Sequence, residues 1–344
     1  MKHHANMIQR LAAAPRSMTF LVGLLLAAGM SGCVSAPAAV PPSGVTTKLT
    51  IGLTYQPDIQ FAPIYVAAQE GLFSQAGLSV TIRHHGASES LFGALQAGQE
   101  DVVFAGGDEM MQARSQGVDV VNIATIYQQY PVAVLTPQNG PYTDMQSLRG
   151  RSIGLPGEYG ENWFALLLLL EQAGMTRDDI NVMSIGYTQQ AALLGGKVDA
   201  VVGFTNNDAI RLALAGFQVQ SITLSGLVGA GLGTTGATLT AQATALTAMW
   251  GAIAQAMAIC VDNAQQALTD SAKYVPGLDQ VDNQTFALAV LNSSAQLYGD
   301  KSTFGQQDDA TWTSMAGFMA TAGLLDKAVD PSSAYTTSIV KPIS

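Results

Sequence analysis

The feature that most constrains this chain is an alternation of β-rich runs and helical stretches that occurs twice in succession. The first series begins at Lys48 and ends near Tyr127, and the second begins near Leu148 and ends near Leu224. In each series, short runs rich in Val, Ile and Thr are separated by stretches with helical spacing that end at glycine. This alternation predicts an α/β protein with two similar units, each built on a mostly parallel sheet.

Helical segments of two kinds complete the pattern. Within the two series, helices are predicted over Ser88–Ala97 and Trp163–Gln172, each directly after a polar segment. From Leu239 onward, only helical periodicity remains. The run Leu239–Cys260 is apolar enough to raise the question of a membrane span, but polar residues interrupt it. We therefore predict that it is a packed helix of a globular protein.

The N-terminal segment predicts export. Three basic residues precede an apolar run from Met18 to Met30, and no acid occurs before Cys33. A basic flank followed by a short apolar run is typical of a secretory signal, and this run is too short to span a bilayer. The sequence Met30-Ser31-Gly32-Cys33 resembles a bacterial lipobox, which predicts a lipoprotein signal peptide over residues 1–32 and a lipid on Cys33. A plain secretory peptide with an unrelated cysteine is the alternative.

Composition limits what the exported chain can do. Residues 33–47 are rich in Ala, Pro, Ser, Thr and Gly, so they predict a flexible tether between the lipid and the folded part. Without residues 1–32, 12 basic residues stand against 25 acidic ones, a net charge of −13. This balance argues against nucleic acid and against an anionic membrane surface as partners.

The sequence predicts neither a metal nor a cofactor. His84 and His85 are the only histidines after the signal peptide, and neighbouring strand residues point to opposite faces, so they make a poor chelate. The Gly-rich segment Gly154–Gly160 lacks the Lys-Ser/Thr of a phosphate loop. Cys260 lies in an apolar helical pattern and is predicted to be buried.

Four motifs, taken in order, carry a resemblance to a known family. They are Phe61–Phe73 (FAPIYVAAQEGLF), Ala94–Val102 (ALQAGQEDV), Asp144–Gly154 (DMQSLRGRSIG) and Leu194–Ala200 (LGGKVDA). In this order they resemble type II periplasmic binding proteins, the solute-binding components of ABC transporters. The branch with the greatest resemblance holds binders of thiamine pyrimidines, riboflavin, sulfonates and nitrate. The resemblance extends over roughly Leu49–Tyr335.

The resemblance implies a two-lobed α/β fold of the periplasmic-binding-protein type II class with a helical C-terminal part. Residues 48–132 and 228–344 would form the first lobe, residues 133–227 the second, and the lobes would close on a ligand like a hinge. The chain would cross between lobes near Tyr130–Pro137 and near Leu224–Thr235, where five glycines give the backbone freedom. The implied partners are a small-molecule ligand and an ABC transporter permease. The implied location is extracytoplasmic, at the cell surface or in the periplasm.

The ligand is expected beyond the carboxyl ends of the strands, where open α/β sheets bind their ligands. The residues found there are aromatic, amide and acidic, without Lys or Arg. The predicted ligand-binding residues are Tyr55, Gln60, Phe61, Ser88, Asp108, Glu109, Tyr127, Tyr130, Glu158, Tyr159, Asn162, Trp163, Asn206 and Asn207. Aromatic side chains sandwich flat rings, while amides and acids bind ring edges. These residues predict a heteroaromatic ligand, a riboflavin-like vitamin or a thiamine pyrimidine.

Other functions and roles stay open at this point. An alkylsulfonate or nitrate binder would use Arg or a bare helix N-terminus, which the predicted helix start at Gly86–Ser90 would supply. An enzyme of thiamine-pyrimidine metabolism is a second alternative. Relatives of that kind use a cysteine-rich motif, which this chain lacks, and Glu158 with Glu161 is a weak catalytic pair. We therefore predict a binding protein without enzymatic activity. Asp108 and Asn207 have helix capping as an alternative role, and Trp163 has the hydrophobic core.

Overall fold

The computed structural model describes residues 46–86 and 89–340. The signal peptide, Cys33, nearly all of the tether and Ser88 lie outside the described residues. The first series of elements comprises β1 (Thr47–Leu53), α1 (Ala62–Gln69), α2 (Leu72–Gln75), β2 (Leu78–His84), α3 (Gly93–Gln96), β3 (Val102–Gly106), α4 (Gly107–Ser115) and β4 (Val120–Thr125). The second comprises β5 (Val132–Pro137), β6 (Ser152–Leu155), α5 (Gly160–Gln172), β7 (Asn181–Ser184), α6 (Gln189–Leu194), β8 (Ala200–Phe204), α7 (Asp208–Leu214) and β9 (Val219–Ile222).

The C-terminal part returns to the first series and then becomes helical. It comprises β10 (Ala230–Thr235), α8 (Gly236–Asp262), α9 (Ala264–Ser271), α10 (Val281–Leu297) and α11 (Asp309–Thr321). The strands form two five-stranded sheets, with the order β2-β1-β3-β10-β4 in the first sheet and β7-β6-β8-β5-β9 in the second. The predicted α/β architecture with a helical C-terminal part is confirmed. The lobe boundaries at 132/133 and 227/228 stay predictions.

The prediction of mostly parallel sheets is confirmed, because four of the five strands in each sheet run in the same direction and one strand runs against them. In the first sheet, β10 runs antiparallel to β3 and to β4. In the second sheet, β5 runs antiparallel to β8 and to β9. The cause is the chain path, because each sheet receives one strand directly after the chain has crossed over from the other sheet.

The crossings are shorter than predicted. Residues 126–131 lead from β4 to β5, and residues 223–229 lead from β9 to β10. Most of the first predicted crossing and the second half of the second are therefore strand. The glycines of β10 serve close packing in a central strand. A Cβ atom on Gly231 would lie 2.4 Å from the carbonyl oxygen of Ala124 and 2.8 Å from Nδ2 of Asn122. Of the glycines expected to give freedom there, Gly226 has a positive φ, of 105°.

Two predicted helices have other bounds. Of the helix predicted over Ser88–Ala97, the described residues 89–97 contain the single helical turn Gly93–Gln96. Glu89 accepts a hydrogen bond from the backbone N–H of Gly86 and pairs with Arg83. The helix predicted at Trp163 begins at Gly160, whose φ of 65° lets the chain turn into the helix. Glu161 and Asn162 therefore belong to the first turn of α5 rather than to a loop.

The long apolar helix α8 is part of the main hydrophobic core. By length and composition it could cross a membrane. Its buried side chains, including Met249, Trp250, Ile253 and Met257, pack with α1, α9, α10 and the first sheet. Cys260 is also buried here, as predicted. The prediction of a packed helix is confirmed.

A separate hydrophobic cluster ties the two halves together. Phe164 and Leu168 of α5 pack against Leu227 of the second crossing and against Trp312 and Met315 of α11. Because Met111 of α4 joins the same cluster, the helices α4 and α5 lie beside each other. This packing brings the N-termini of both helices to one place.

Candidate ligand-binding site

Three carboxyl groups from the two sheets converge where α4 and α5 begin. Asp108 and Glu109 lie in the first turn of α4, directly after β3, and Glu161 lies in the first turn of α5. A Cβ atom on Gly106 would lie 2.4 Å from Oδ1 of Asp108 and 2.8 Å from Oε1 of Glu161. A side chain at this position would have to displace one of the two carboxyl groups, which approach the Gly106 backbone from opposite sheets. We call the region around these carboxyl groups the inter-sheet junction.

Tyr130 connects the carboxyl groups across the junction. Its hydroxyl donates to Oδ2 of Asp108 at 2.6 Å and lies 3.2 Å from the backbone carbonyl oxygen of Glu161. Oδ1 of Asp108 accepts from the backbone N–H of Glu109, and Oε2 of Glu109 accepts from that of Gly106. Oε1 of Glu161 is shielded from water and has no hydrogen-bond partner among the described residues. One oxygen of the cluster is therefore buried without a hydrogen bond in the described part of the chain.

The cluster holds its protons more tightly than isolated carboxyl groups do. Burial raises the pKa of Asp108 to about 6. Burial and the Asp108 carboxylate raise the pKa of Glu109 to about 8. Burial, followed by the Glu109 and Asp108 carboxylates, raises the pKa of Glu161 well above its ordinary value. Near neutral pH the cluster therefore offers protonated carboxyl groups, which donate hydrogen bonds as well as accept them.

A second contact joins the two sheets beside the carboxyl cluster. Nδ2 of Asn207, at the start of α7, donates to Oε1 of Gln60 at 3.0 Å. Next to it, Nδ2 of Asn206 donates to the hydroxyl of Ser294 on α10 at 2.8 Å. Asn206 is fully buried and Asn207 is half-buried. Asn207 is thus placed at the junction, while Asn206 fastens the second sheet to a C-terminal helix.

Exposed tyrosines surround the junction. Tyr55 follows β1, Tyr159 follows β6 and Tyr187 follows β7, and their exposed fractions are 45%, 58% and 73%. Partial burial and the neighbouring Tyr159 hydroxyl raise the pKa of Tyr187, with smaller contributions from Tyr55 and Glu109. Tyr159, Tyr55 and Glu109 therefore all lie within range of the Tyr187 hydroxyl. Tyr187 was not among the predicted residues, although the strand-end rule that selected Tyr55 and Tyr159 applies to it equally.

Arg211 is a basic group close to the junction that the strand-end search missed. It lies on α7, one helical turn after Asp208, and its guanidinium carbon is 4.3 Å from the ring centre of Phe286. Burial raises the pKa values of Asp58 and Asp208, and Arg211 opposes both shifts. Arg211 comes four residues after Asn207, so helical periodicity could have identified it from the sequence. The carboxyl groups of Asp58 and Asp208 lie near enough to respond to its charge.

Four predicted residues are buried away from open space at the junction: Phe61, Tyr127, Asn162 and Asn206. Phe61 and Tyr127 are buried, with the Phe61 ring against Phe104 and the Tyr127 ring stacked on Tyr298. Asn162 is buried as well. Its side chain donates to the carbonyl oxygen of Val202 and so fastens α5 to the second sheet.

Trp163 and Glu158 also have structural partners. The Trp163 side chain is half-buried and packs against two hydrophobic clusters, which include Leu166 and Phe164. Its ring thus lies with the core, the alternative left open by the sequence. Glu158 is exposed, with Oε1 3.0 Å from Nη2 of Arg177. As ligand contacts, these six residues and Ser88 remain predictions.

The two adjacent histidines point to opposite faces of the first sheet, as predicted. Nε2 of His84 lies 2.7 Å from the hydroxyl of Tyr65, while Nε2 of His85 lies 2.8 Å from Oε1 of the buried Glu100. Over residues 46–86 and 89–340, no group of three or more His, Cys, Asp and Glu side chains is arranged to hold a metal ion.

A cavity of about 340 Å³ lies at the opposite edge of the first sheet. It is lined by the amino ends of β1 and β2, including Thr47 and Leu78, and by residues 240–245 and 248 of α8. The helix is kinked beside it, with φ −126° and ψ 22° at Gln242. This edge carries the amino ends of the strands, so the cavity is separate from the junction.

Comparison with known proteins identifies the family. The chain is 30% identical over 340 residues to the riboflavin-binding protein RibY of Chloroflexus aurantiacus, covering 94% of this chain and 97% of that protein. It is 26% identical over 169 residues to the 4-amino-5-hydroxymethyl-2-methylpyrimidine phosphate synthase of Aspergillus parasiticus, 49% of each chain. The solved structure of the periplasmic aliphatic sulphonate binding protein SsuA from Escherichia coli superposes with a TM-score of 0.70 and 17% identity, over 84% of this chain and 97% of that one. The fold is therefore that of periplasmic binding proteins. A family model described as NMT1/THI5 like matches residues 58–267, more than half of the chain, so this chain belongs to the NMT1/THI5-like family.

Proposed function

We propose that this protein is an extracytoplasmic solute-binding protein that captures a small heteroaromatic vitamin of the riboflavin type at the inter-sheet junction and delivers it to an ABC importer. The observation that carries the proposal is the meeting of carboxyl groups and exposed tyrosines from both sheets. Asp108 and Glu109 come from the first sheet, and Glu161 with Tyr159 comes from the second. The similarity to a riboflavin-binding protein along nearly the whole chain supports the same ligand class.

The junction matches the chemistry of a flat ring with a polar edge. Tyrosine rings bind the faces of such a ring, and the carboxyl groups bind its edge. The edge of a flavin alternates N–H donors with carbonyl acceptors. Because Glu109 has a pKa of about 8, its carboxyl group can be protonated near neutral pH. A protonated carboxyl group donates from one oxygen and accepts at the other, so it can hydrogen-bond to both the acceptors and the donors of the flavin edge.

The same chemistry disfavours an alkylsulfonate. An anion needs unshared positive charge or free backbone N–H groups. The negative charges of Asp58 and Asp208 lie near Arg211 and offset its charge, and among residues 89–97 the single turn Gly93–Gln96 is helical. The likeness to SsuA is at 17% identity and concerns the fold. The sulfonate alternative is therefore the weaker one.

We propose binding without turnover. RibY, which this chain matches along almost its full length, is named a riboflavin-binding protein. The pyrimidine phosphate synthases match over about half of the chain. The experiment is a titration of purified protein with riboflavin, 4-amino-5-hydroxymethyl-2-methylpyrimidine and taurine, followed by chromatography of the recovered ligands. One-to-one binding of riboflavin, recovered unchanged, is expected. Binding of taurine alone would overturn the heteroaromatic ligand, and a new product would overturn binding without turnover.

The proposal includes a membrane anchor at Cys33. The lipobox-like sequence Met30–Cys33 and the composition of residues 33–47 support it. Cys33→Ser should move the protein from the membrane fraction to the soluble fraction and leave riboflavin affinity unchanged. Retention of the intact variant in the membrane fraction would refute the lipid anchor.

A further inference from the structure

We infer that Tyr187, Tyr159 and Tyr55 form a three-tyrosine clamp that selects a fused polycyclic ring over a single pyrimidine ring. The inference rests on the proposed function and assigns the ligand's ring size to particular residues. All three side chains are exposed although they are large and partly apolar, and all three directly follow strands at the edge where the sheets meet.

Tyr159 and Tyr187 belong to neighbouring strands. β6 and β7 run parallel, with Leu155 paired to Ser184 at their ends. Tyr159 comes four residues after Leu155, and Tyr187 comes three residues after Ser184. Parallel strands are about 4.8 Å apart, so both rings leave the sheet at one edge and side by side. The Tyr159 ring lies against Gly157, where a Cβ atom would be 2.3 Å from Cε1 of the ring.

Tyr55 approaches from the first sheet. It comes two residues after the end of β1, and its hydroxyl lies 3.5 Å from Nε2 of Gln56. Asp58 and Asp208 are both close enough to act on its charge, and Asp208 belongs to the second sheet's helix α7. Tyr55 therefore lies on the first sheet's side, near helix α7 of the second sheet.

The number of exposed rings determines the ligand class. A single pyrimidine ring is about the size of one tyrosine ring, so each of its faces can stack on one tyrosine at a time. A fused tricyclic ring extends over two neighbouring side chains and still presents its other face to a third. Removing one of the three should therefore weaken a tricyclic ligand much more than a monocyclic one, because only the former reaches all three.

Two ring probes test the clamp. Lumichrome, the flavin ring without its sugar chain, and 4-amino-5-hydroxymethyl-2-methylpyrimidine are titrated against wild type, Tyr187→Ala and Tyr187→Phe. We expect wild type to bind lumichrome at least tenfold more tightly than the pyrimidine. Tyr187→Ala should weaken lumichrome binding about tenfold or more, the scale of a lost aromatic stack, and the pyrimidine less than threefold. Tyr187→Phe should keep the lumichrome affinity, since the ring face remains.

The controls separate the clamp from the proposed function. Tyr187 is 73% exposed, so its replacement should leave the melting temperature unchanged, and Leu214→Ala, at a side chain 52% exposed on α7, is the matched truncation. Unchanged lumichrome affinity in Tyr187→Ala, or equal weakening of both probes, overturns the clamp. If wild type binds only the pyrimidine, the clamp is overturned, while the proposal of a heteroaromatic ligand survives. Wild type binding neither probe nor riboflavin overturns both.

Discussion

Asp108, Glu109 and Glu161 are an unfavourable set of residues to bring together without a basic partner. Two features of the fold offset part of their repulsion. Each lies in the first turn of a helix, where the helix dipole favours a negative charge. The Tyr130 hydroxyl and the backbone N–H groups of Gly106 and Glu109 supply hydrogen bonds. The raised pKa values show that repulsion and burial still outweigh these contributions, which is typical of functional sites rather than of structural ones.

The first prediction concerns the pH dependence of stability. The pKa of Glu109 rises from 4.5 to about 8 on folding, so the folded state binds more protons between these pH values. The associated stability is fully present below pH 4.5 and is lost as the pH rises to 8. Glu109→Gln removes the charge and keeps an acceptor for the Gly106 N–H. It should raise the free energy of unfolding by about 1–3 kcal/mol at pH 8 and change it little at pH 4.

Urea unfolding at pH 4, 6 and 8 checks this expectation. Glu158→Gln is the matched control, because Glu158 is exposed and paired with Arg177 at the surface, and surface pairs contribute about 0–1 kcal/mol. If Glu109→Gln and wild type lose stability in parallel between pH 4 and pH 8, ionisation of Glu109 does not destabilise the folded protein and the expectation is wrong.

Sequence reasoning at this scale identifies which residues follow the strands, but it does not fix the direction of their side chains. Asp108, Glu109 and Tyr159 were selected from their place after a strand. Trp163 was selected by the same rule, and its half-buried ring packs against the core, which the sequence had left open, while its contact with the ligand stays a prediction. The contact of Glu161 with the first sheet depends on packing across the two halves, which no local pattern reveals.

At the level of single elements, β10 shows how glycine can be misread. A glycine-rich segment between two folded units resembles a hinge, and the sequence predicted one there. In the structure these residues form a strand between β3 and β4, with Leu232 fully buried. The strand carries glycine because its neighbours approach its backbone more closely than any side chain allows. Most other strands were predictable from their β-branched runs, although β5 was also assigned to a crossing, whereas β10 has few such residues.

This difference gives a prediction for two glycines in different elements. Gly231→Ala places a Cβ atom 2.4 Å from the carbonyl oxygen of Ala124, and a strand held on both sides cannot move away. It should lower the free energy of unfolding by about 1–3 kcal/mol or prevent folding. Gly251→Ala, in the interior of α8 with no atom within 4 Å of the new Cβ, should raise it by about 0.5–1 kcal/mol. Thermal unfolding measures both. A mobile hinge at residues 230–235 would instead tolerate Gly231→Ala.

At the scale of the whole molecule, two sets of contacts hold the two halves together around the junction. Tyr130 bonds Asp108 and Glu161, Asn207 bonds Gln60, and these contacts join the two halves at their strand ends, while Asn206 fastens the second sheet to α10. The hydrophobic cluster of Phe164, Leu168 and Trp312 holds α4, α5 and α11 together behind them. A ligand that reaches the carboxyl groups must separate the polar contacts, and the two crossings at residues 126–131 and 223–229 are the segments about which such an opening would occur.

The most direct measurement is a crystal structure of the protein grown with riboflavin. We expect the flavin ring to lie against Tyr159 and Tyr187, with its polar edge within hydrogen-bonding distance of Glu109 or Glu161. Flavin bound instead in the 340 Å³ cavity beside Gln242, with the junction empty, would contradict the assignment of the junction as the ligand-binding site.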